Sequence, residues 1–361
     1  MTARGLRAVG AILLGFATGA GGLAAAGPPA GRSVAEGGAH GDSRTTVQRQ
    51  AYLMGTRATL ATSAADRGQG LRTLERLLAG LEAVEAELST WREDSQLSAV
   101  NRQPIATPLR VPDRLCDLLN ELGAWHRATG GAFDPAIGSM VAVWGLREGG
   151  RQPSAAELAA ARSAAGLDHL AVQLFPCQVT RLRDVILDAG AFGKGAAIDR
   201  VAETELAHRT RTWMIDLGGQ VTVGGQDGEP WPVALAHPRR RSEAVLDLRL
   251  SAGSLASSGG SVRDVEVGGR TIGHILDPRT GDPLSRPESV TVWHPRALVA
   301  DILSTALYVM GTDEGLAWAE ARHVAACFLL PDPAGSSTTV RATPAFRERF
   351  LQGQAATTRA F

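Results

Sequence analysis

The segment Leu187–Asp199, LDAGAFGKGAAID, carries the pattern that decides the fold. It follows a short apolar run and leads into residues with helical periodicity, so we predict a strand, a glycine turn and a helix. Gly190, Gly193 and Gly195 allow the backbone to approach a ligand closely. The free amides of such a turn, together with a helix N-terminus, favour negative charge. The segment therefore predicts an anion or nucleotide site, unless the turn is only structural.

The only lysine of the chain lies in the middle of this segment. Of the 37 basic residues, Lys194 is the lysine and all the others are arginines. Arginine can replace a solvated lysine freely, but its guanidinium fork does not fit where a compact ammonium group is needed. Lys194 therefore either survives by chance on the surface or serves an anion site. The segment is not a P-loop, because Gly195 follows Lys194 where that motif has Ser or Thr.

Composition narrows the classes of protein. The chain has 361 residues, 44% hydrophobic and 20% charged, which excludes disordered, collagen-like and coiled-coil proteins. Lys plus Arg and Asp plus Glu both number 37, so the formal net charge is zero. The chain therefore lacks the net positive charge that would indicate nucleic acid as a partner. Cys116, Cys177 and Cys327 lack CxxC spacing and allow at most one disulfide. These features favour small-molecule chemistry.

The N-terminus predicts export. Residues 1–26 contain Arg4 and Arg7, an apolar stretch over 8–23 and three small residues, which is the pattern of a signal peptide. Residues 27–49 are rich in Gly, Pro and Ala and predict a disordered leader. No cysteine near the cleavage site could carry a lipid anchor. We expect a periplasmic or otherwise extracytoplasmic protein that is soluble after cleavage, with an uncleaved anchor as the alternative.

Residues 50–355 contain no long linker and no repeat, and they predict one composite domain. Periodicity predicts helices over 71–88, 112–129, 301–310 and 314–322, and strands over 171–175, 185–187, 213–217, 289–293 and 325–330. Because strands and helices alternate without a strict βαβ rhythm, we predict an α+β fold.

Two further segments carry residues suited to chemistry. Asp301 and Thr305 are four residues apart and so share one face of a predicted helix, where a carboxylate and a hydroxyl together suit Mg²⁺. The alternative is that Asp301 caps the helix and Thr305 is an ordinary residue at the edge of the core. His274, at the predicted end of a strand before the turn Asp277–Gly281, is either a general base or a buried structural histidine.

Eight short motifs occur in the order typical of the ApbE family of FAD:protein FMN transferases, which the chain resembles from about residue 52 to residue 330. The motifs are Met54–Thr56 (MGT), Ser89–Trp91 (STW) with Ser95, Leu97 and Asn101 (SxLxxxN), Gly131–Pro135 (GAFDP), Asp188–Gly195 (DAGAFGKG), Leu217–Gly219 (LGG), Ser258–Gly259 (SG), His274–Gly281 (HILDPRTG) and Ala300–Thr305 (ADILST). Each motif is weak alone, whereas eight in this order are specific.

The resemblance implies an α+β domain in which FAD lies in a cleft between a mixed sheet and helical layers. It implies Mg²⁺ at the pyrophosphate of FAD, held by the backbone carbonyl of Ala191 together with Asp301 and Thr305. It places Lys194 against the diphosphate or a nearby carboxylate. The FAD contacts implied in the same way are Met54, Trp91, Ala132, Phe133, Asp134, Asp188, Lys194 and Ile275.

The reaction implied is Mg²⁺-dependent transfer of the FMN moiety of FAD to a Thr or Ser hydroxyl of an exported or membrane flavoprotein subunit, with release of AMP. Lys194 and the metal bound by Asp301 would neutralise charge, and His274 would take the hydroxyl proton. Two alternatives stay open. One is an FAD pyrophosphatase that releases FMN and AMP, and the other is a periplasmic FAD-binding protein without turnover.

Overall fold

The computed structural model describes residues 12–14, 44–228, 230–260, 264–332 and 337–352. Apart from Ile12–Leu14, a short strand, the predicted signal peptide lies outside the described residues, as does most of the predicted leader. The end of that leader belongs instead to the strand Thr45–Leu53. The prediction of a disordered leader is therefore wrong for residues 45–49, where Val47 is buried in the main core. The predicted domain end, residue 355, also lies outside the described residues.

The described strands are β1 Ile12–Leu14, β2 Thr45–Leu53, β3 Thr56–Ala64, β4 Leu109–Arg110, β5 Leu170–Gln173, β6 Gln178–Arg181, β7 Trp213–Leu217, β8 Gln220–Gly224, β9 Trp231–Ala236, β10 Ala244–Leu250, β11 Gly253–Gly259, β12 Val265–Val267, β13 Arg270–Ile272, β14 Ser289–His294, β15 Ala325–Pro331 and β16 Thr338–Ala342. The described helices are α1 Arg67–Leu88, α2 Gln96–Arg102, α3 Asp113–Ala128, α4 Gly138–Val143, α5 Ala155–Ala164, α6 Gly193–Ala207, α7 Ala297–Met310, α8 Thr312–Glu320 and α9 Pro344–Phe350. Within the described ranges no helix is both long and apolar enough to span a bilayer.

An antiparallel sheet of eight strands, in the order β16-β15-β14-β11-β8-β7-β3-β2, forms the centre of the fold. Side chains alternate between its faces, so that Ile215 and Leu217 join the core on one side and Met214 the core on the other. Helices α1, α6 and α7 pack on the first face, and the β9–β10 hairpin with α9 covers the second. The α+β prediction is confirmed.

Helix α7 is the central helix of the first layer. Its sequence, ALVADILSTALYVM, is apolar on nearly every face, and all but one of its residues are buried. The helix begins at Ala297, earlier than predicted, and so Asp301 lies in its second turn and not at its N-cap. The alternative prediction, that Asp301 caps its own helix, is therefore wrong, and its buried carboxylate needs a partner elsewhere.

The segment before the glycine turn is extended but pairs with no described strand. Residues 185–187, predicted as a strand, receive their hydrogen bonds from elsewhere. The Asn101 amide donates to the Leu187 carbonyl at 2.9 Å, and its oxygen accepts from the Leu187 amide at 2.8 Å. Gly138 N–H donates to the Ile186 carbonyl at 2.9 Å. A side chain of α2 thus replaces a neighbouring strand and positions the start of the glycine turn.

A disulfide joins α3 to the segment before β6. Cys116 and Cys177 form this bond across a sequence separation of 61, and Cys327 is a buried free thiol. A crosslink that closes a loop of this length restricts the unfolded chain and stabilises the fold by about 4 kcal/mol in the chain-entropy model.

We expect the double replacement of Cys116 and Cys177 by Ser to lower the free energy of unfolding by about 2–4 kcal/mol in urea titrations. Reductant should lower the wild-type value to that of the variant, and an unfolding midpoint insensitive to reductant would contradict the prediction.

Candidate active site

The glycine turn brings the start of α6 against α7. The Lys194 ammonium donates to Asp301 Oδ1 at 2.9 Å, and Gly195 N–H donates to Asp301 Oδ2 at 3.0 Å. A Cβ on Gly195 would lie only 2.5 Å from the Ala297 carbonyl oxygen. Glycine is therefore needed because the two backbones touch. This close approach places a buried carboxylate, an ammonium group and a helix N-terminus at one point.

Asp199 on α6 completes a reciprocal arrangement. Its carboxylate accepts from the backbone N–H groups of Ala297 at 2.5 Å and of Leu298 at 3.2 Å, so it caps α7. Neither helix has a side-chain cap of its own at its N-terminus, and each receives one from the other. Burial raises the pKa of Asp199 above its ordinary value, while the two amides act in the opposite direction. No sequence pattern indicates this role of Asp199, because its partners lie 98 and 99 residues away.

Oxygen atoms of a kind that can bind a metal ion lie beside the contact of Lys194 with Asp301. Thr305 Oγ1 lies 3.4 Å from Ser258 Oγ at the end of β11, and Ser258 Oγ is hydrogen-bonded to Ser304 Oγ at 2.9 Å. The short turn Ala189–Ala191 also packs against α7, the helix that carries Asp301 and Thr305. A carboxylate, a hydroxyl and a carbonyl are hard oxygen donors of the kind that suits Mg²⁺.

The residues present fit magnesium better than a metal bound by nitrogen or sulfur. Within the described part of the chain, no group of three or more His, Cys, Asp or Glu side chains could hold a metal ion. A site here must therefore use backbone or hydroxyl oxygen in addition to one carboxylate. Such a set leaves room for water and phosphate oxygens, which Mg²⁺ prefers to retain.

A cation and an aromatic ring lie at the rim of the glycine turn. Arg147 is hydrogen-bonded to Asp188 and donates to Thr90 Oγ1 at 2.8 Å. Its guanidinium also lies 4.7 Å from the centre of the Trp91 ring, which is 73% exposed. Asp188 in turn accepts from Gly190 N–H at 2.7 Å. Arg147, which the sequence analysis did not single out, therefore links two of the residues implied as FAD contacts.

Met54 approaches the same turn from the β2–β3 hairpin. Its Cε atom lies 3.3 Å from the position that a Cβ on Gly193 would occupy. The Met54 backbone is left-handed, with φ of 49°, and its N–H donates to Glu85 Oε1 at 2.7 Å. The structure therefore places Met54 beside the start of α6.

The GAFDP segment lies deeper. Ala132 and Phe133 are fully buried, and Asp134 accepts from the N–H groups of Ala136 at 2.8 Å and of Leu167 at 3.2 Å. Burial raises the pKa of Asp134, against the opposing effect of His126. These side chains are buried in the core. The Pro135 carbonyl, which accepts from Asp188 N–H at 2.7 Å, makes the direct link to the glycine turn.

His274 lies in the connection after β13 and not on a strand as predicted, because the pairing of β12 with β13 ends at Ile272. Its Nδ1 atom lies 2.9 Å from Asp264 Oδ1, and the same oxygen accepts from the His274 backbone N–H at 3.1 Å. Ile275, the next residue, is partly buried against the main core. The sequence analysis missed Asp264, although the Gly268–Gly269 turn between them could have indicated the hairpin.

The model of the ApbE family matches residues 54–328. The FAD:protein FMN transferase of Escherichia coli (strain K12) is 31% identical over 273 residues, 72% of this chain and 77% of that protein. The FAD:protein FMN transferase of Klebsiella pneumoniae (strain 342) is 30% identical over 314 residues, 83% of this chain and 88% of that protein.

Solved structures of the family share the fold. The apo form of the flavinyl transferase ApbE from Pseudomonas stutzeri has a TM-score of 0.74 at 28% identity and covers 85% of this chain and 97% of its own. The ApbE protein of Thermotoga maritima has a TM-score of 0.77 at 26% identity, with 84% and 99% covered. The chain therefore belongs to the ApbE family and is an enzyme of the transferase class.

Proposed function

We propose that the enzyme transfers the FMN moiety of FAD to a Thr or Ser hydroxyl of an exported or membrane flavoprotein subunit, with Mg²⁺ bound and AMP released. The observation that carries the proposal is the contact of Lys194 and Asp301 at the start of α6, beside Thr305. The name of the related proteins supports FAD as the flavin donor and a protein as the acceptor.

Lys194 is suited to bind the diphosphate of FAD. Its side chain is 23% exposed, so the ammonium group can contact Asp301 and still present a proton to a phosphate oxygen. The backbone of a glycine turn at a helix N-terminus favours the same negative charge. A compact ammonium group in this confined place also explains why the only lysine of the chain stands here.

Ala191, Asp301 and Thr305 would hold the metal ion, the first through its carbonyl oxygen. When bound, Mg²⁺ would neutralise charge on the diphosphate. The buried Asp301 carboxylate is oriented by Lys194 and Gly195, which both donate to it. Orientation by two donors before substrate arrives lowers the cost of organising the site during the reaction.

His274 is the proposed base. Its Nε2 atom takes the proton of the acceptor hydroxyl, and the hydroxyl oxygen forms a bond to the phosphorus atom of the FMN half. The bond between that phosphorus and the bridging oxygen breaks, and AMP leaves with the bridging oxygen. Lys194 stabilises the negative charge that develops on the leaving phosphate.

The flavin contacts fall into two groups. Met54, Trp91 and Asp188 lie at the surface of the turn, and we propose that they touch FAD with their side chains. Ala132, Phe133, Asp134 and Ile275 are buried or partly buried, and we propose that they touch it through backbone atoms.

We propose that the enzyme works outside the cytoplasm. The sequence of residues 1–26 predicts a signal peptide. The disulfide between Cys116 and Cys177 supports an oxidising compartment, because such bonds persist there and are rare in the cytosol.

Incubation of the purified protein with FAD, Mg²⁺ and a candidate acceptor subunit tests the proposal. We expect mass spectrometry to find one FMN added to a Thr or Ser of the acceptor, together with free AMP, and we expect a chelator to abolish both. Free FMN and AMP without an adduct would instead indicate a pyrophosphatase. Bound FAD with neither product would indicate a flavin-binding protein.

A further inference from the structure

The carboxylate of Asp264 holds His274 at two points. Asp264 Oδ1 lies 2.9 Å from His274 Nδ1 and accepts from the His274 backbone N–H at 3.1 Å. The hairpin of β12 and β13 creates this contact, because the pairing of Val265 with Ile272 brings its two ends together. Both side chains are largely shielded from solvent, at 14% exposure for Asp264 and 23% for His274.

The contact determines which ring nitrogen carries the proton. A carboxylate only accepts hydrogen bonds, so Nδ1 of neutral His274 must bear the hydrogen. Nε2 then keeps its lone pair, and it has no protein hydrogen-bond partner among the described residues.

Asp264 lies close to the residue that follows β11, a strand whose end contacts α7. The second Asp264 oxygen lies 3.4 Å from the place that a Cβ on Gly260 would take. Gly260 follows the Ser258–Gly259 motif, and Ser258 touches Thr305. Arg241 also donates to the Gly260 carbonyl and interacts electrostatically with Asp264.

We infer that Asp264 is a positioning residue that selects the Nδ1–H tautomer of His274 and directs Nε2 to the acceptor hydroxyl. The inference rests on the proposed function, because it assigns a partner to the proposed base. It adds a residue that none of the eight motifs contains.

A double-mutant cycle of Asp264 and His274, measured as kcat, tests the role of Asp264 in the reaction. We expect Asp264→Ala to lower kcat for FMN transfer by about 100-fold and to change KM for FAD by no more than about twofold. Asp264→Asn keeps an accepting oxygen, so it should recover part of this loss. In the His274→Ala background, Asp264→Ala should have no further effect, since residues that act through one another are not additive. An equal loss in both backgrounds would overturn the inference.

The tautomer of His274 can be measured directly, without turnover of the enzyme. Long-range ¹H–¹⁵N correlation spectra report the tautomer of each imidazole, and the signal of His274 among the 8 histidines is the one lost in His274→Gln. We expect Nδ1–H in the wild-type protein and loss of this preference in Asp264→Ala. An Nε2–H tautomer in the wild type would overturn the inference. An Nδ1–H tautomer in a protein that forms no adduct would overturn the proposed function and leave the positioning of His274 by Asp264 intact.

Glu266→Gln is the matched control. Glu266 lies on the same hairpin, and its exposed carboxylate is hydrogen-bonded to Thr271 instead of His274. We expect wild-type kcat and an unchanged His274 tautomer. A loss equal to that of Asp264→Ala would show that any charge change on this hairpin has the effect, which contradicts the inference.

Discussion

Replacement of Asp301 by Asn is expected to reduce FMN transfer and AMP release by about 1,000-fold, because metal-assisted charge stabilisation is worth several kcal/mol in such reactions. Asn keeps the shape of the side chain but binds a divalent cation weakly and no longer pairs with Lys194. The measurement is the initial rate of AMP release as a function of Mg²⁺ concentration, with circular dichroism to verify that the fold is retained.

The control for this variant is Asp313→Asn. Asp313 is an exposed carboxylate on α8 that pairs with Arg341, so its replacement removes one negative charge that is not proposed to bind the metal. The rate in this control should match the wild type. Undiminished turnover in Asp301→Asn would disprove the metal assignment, because no other carboxylate is proposed to bind the ion.

Replacement of Gly195 by Ala is expected to lower the free energy of unfolding by about 3 kcal/mol and to abolish transfer, because an added methyl group has no space between α6 and α7. The new Cβ would lie 2.5 Å from the Ala297 oxygen and 2.6 Å from the Leu298 Cα, and backbone atoms cannot rotate away. Separation of the helices would also pull Lys194 from Asp301. Urea unfolding and the transfer assay measure the two effects.

Gly123→Ala is the matched control for this substitution. Gly123 lies inside α3, where an added Cβ would meet only the mobile end of Arg127, at 3.4 Å. Inside a helix, alanine is more favourable than glycine by about 0.5–1 kcal/mol of folding free energy. This variant should therefore be as stable as the wild type or slightly more stable. If Gly195→Ala unfolded at the wild-type urea concentration, the close packing of α6 on α7 would not be a source of stability.

The fold class and the family could be predicted because their signals are local. Helical periodicity predicted α1 and α3 within a few residues of their observed bounds. The short strand β12 was missed, because three residues are too few to show alternation, and the strand predicted to end at His274 ends at Ile272. Residues 185–187 were mistaken for a strand because their apolar run is the same whether a strand or Asn101 supplies the hydrogen bonds.

The sequence by itself determined the order of the eight motifs, the glycine turn that opens α6 and the position of the only lysine within that turn. Only the tertiary structure decided what those residues contact. Asp199 and Asp301 each cap a helix that begins about 100 residues away, and Cys116 finds its partner across 61 residues. The pairing of Asp264 with His274 depends on a hairpin that closes between them. Such pairs leave no periodic signal in the chain, because packing of distant backbones determines which buried charge meets which unpaired amide.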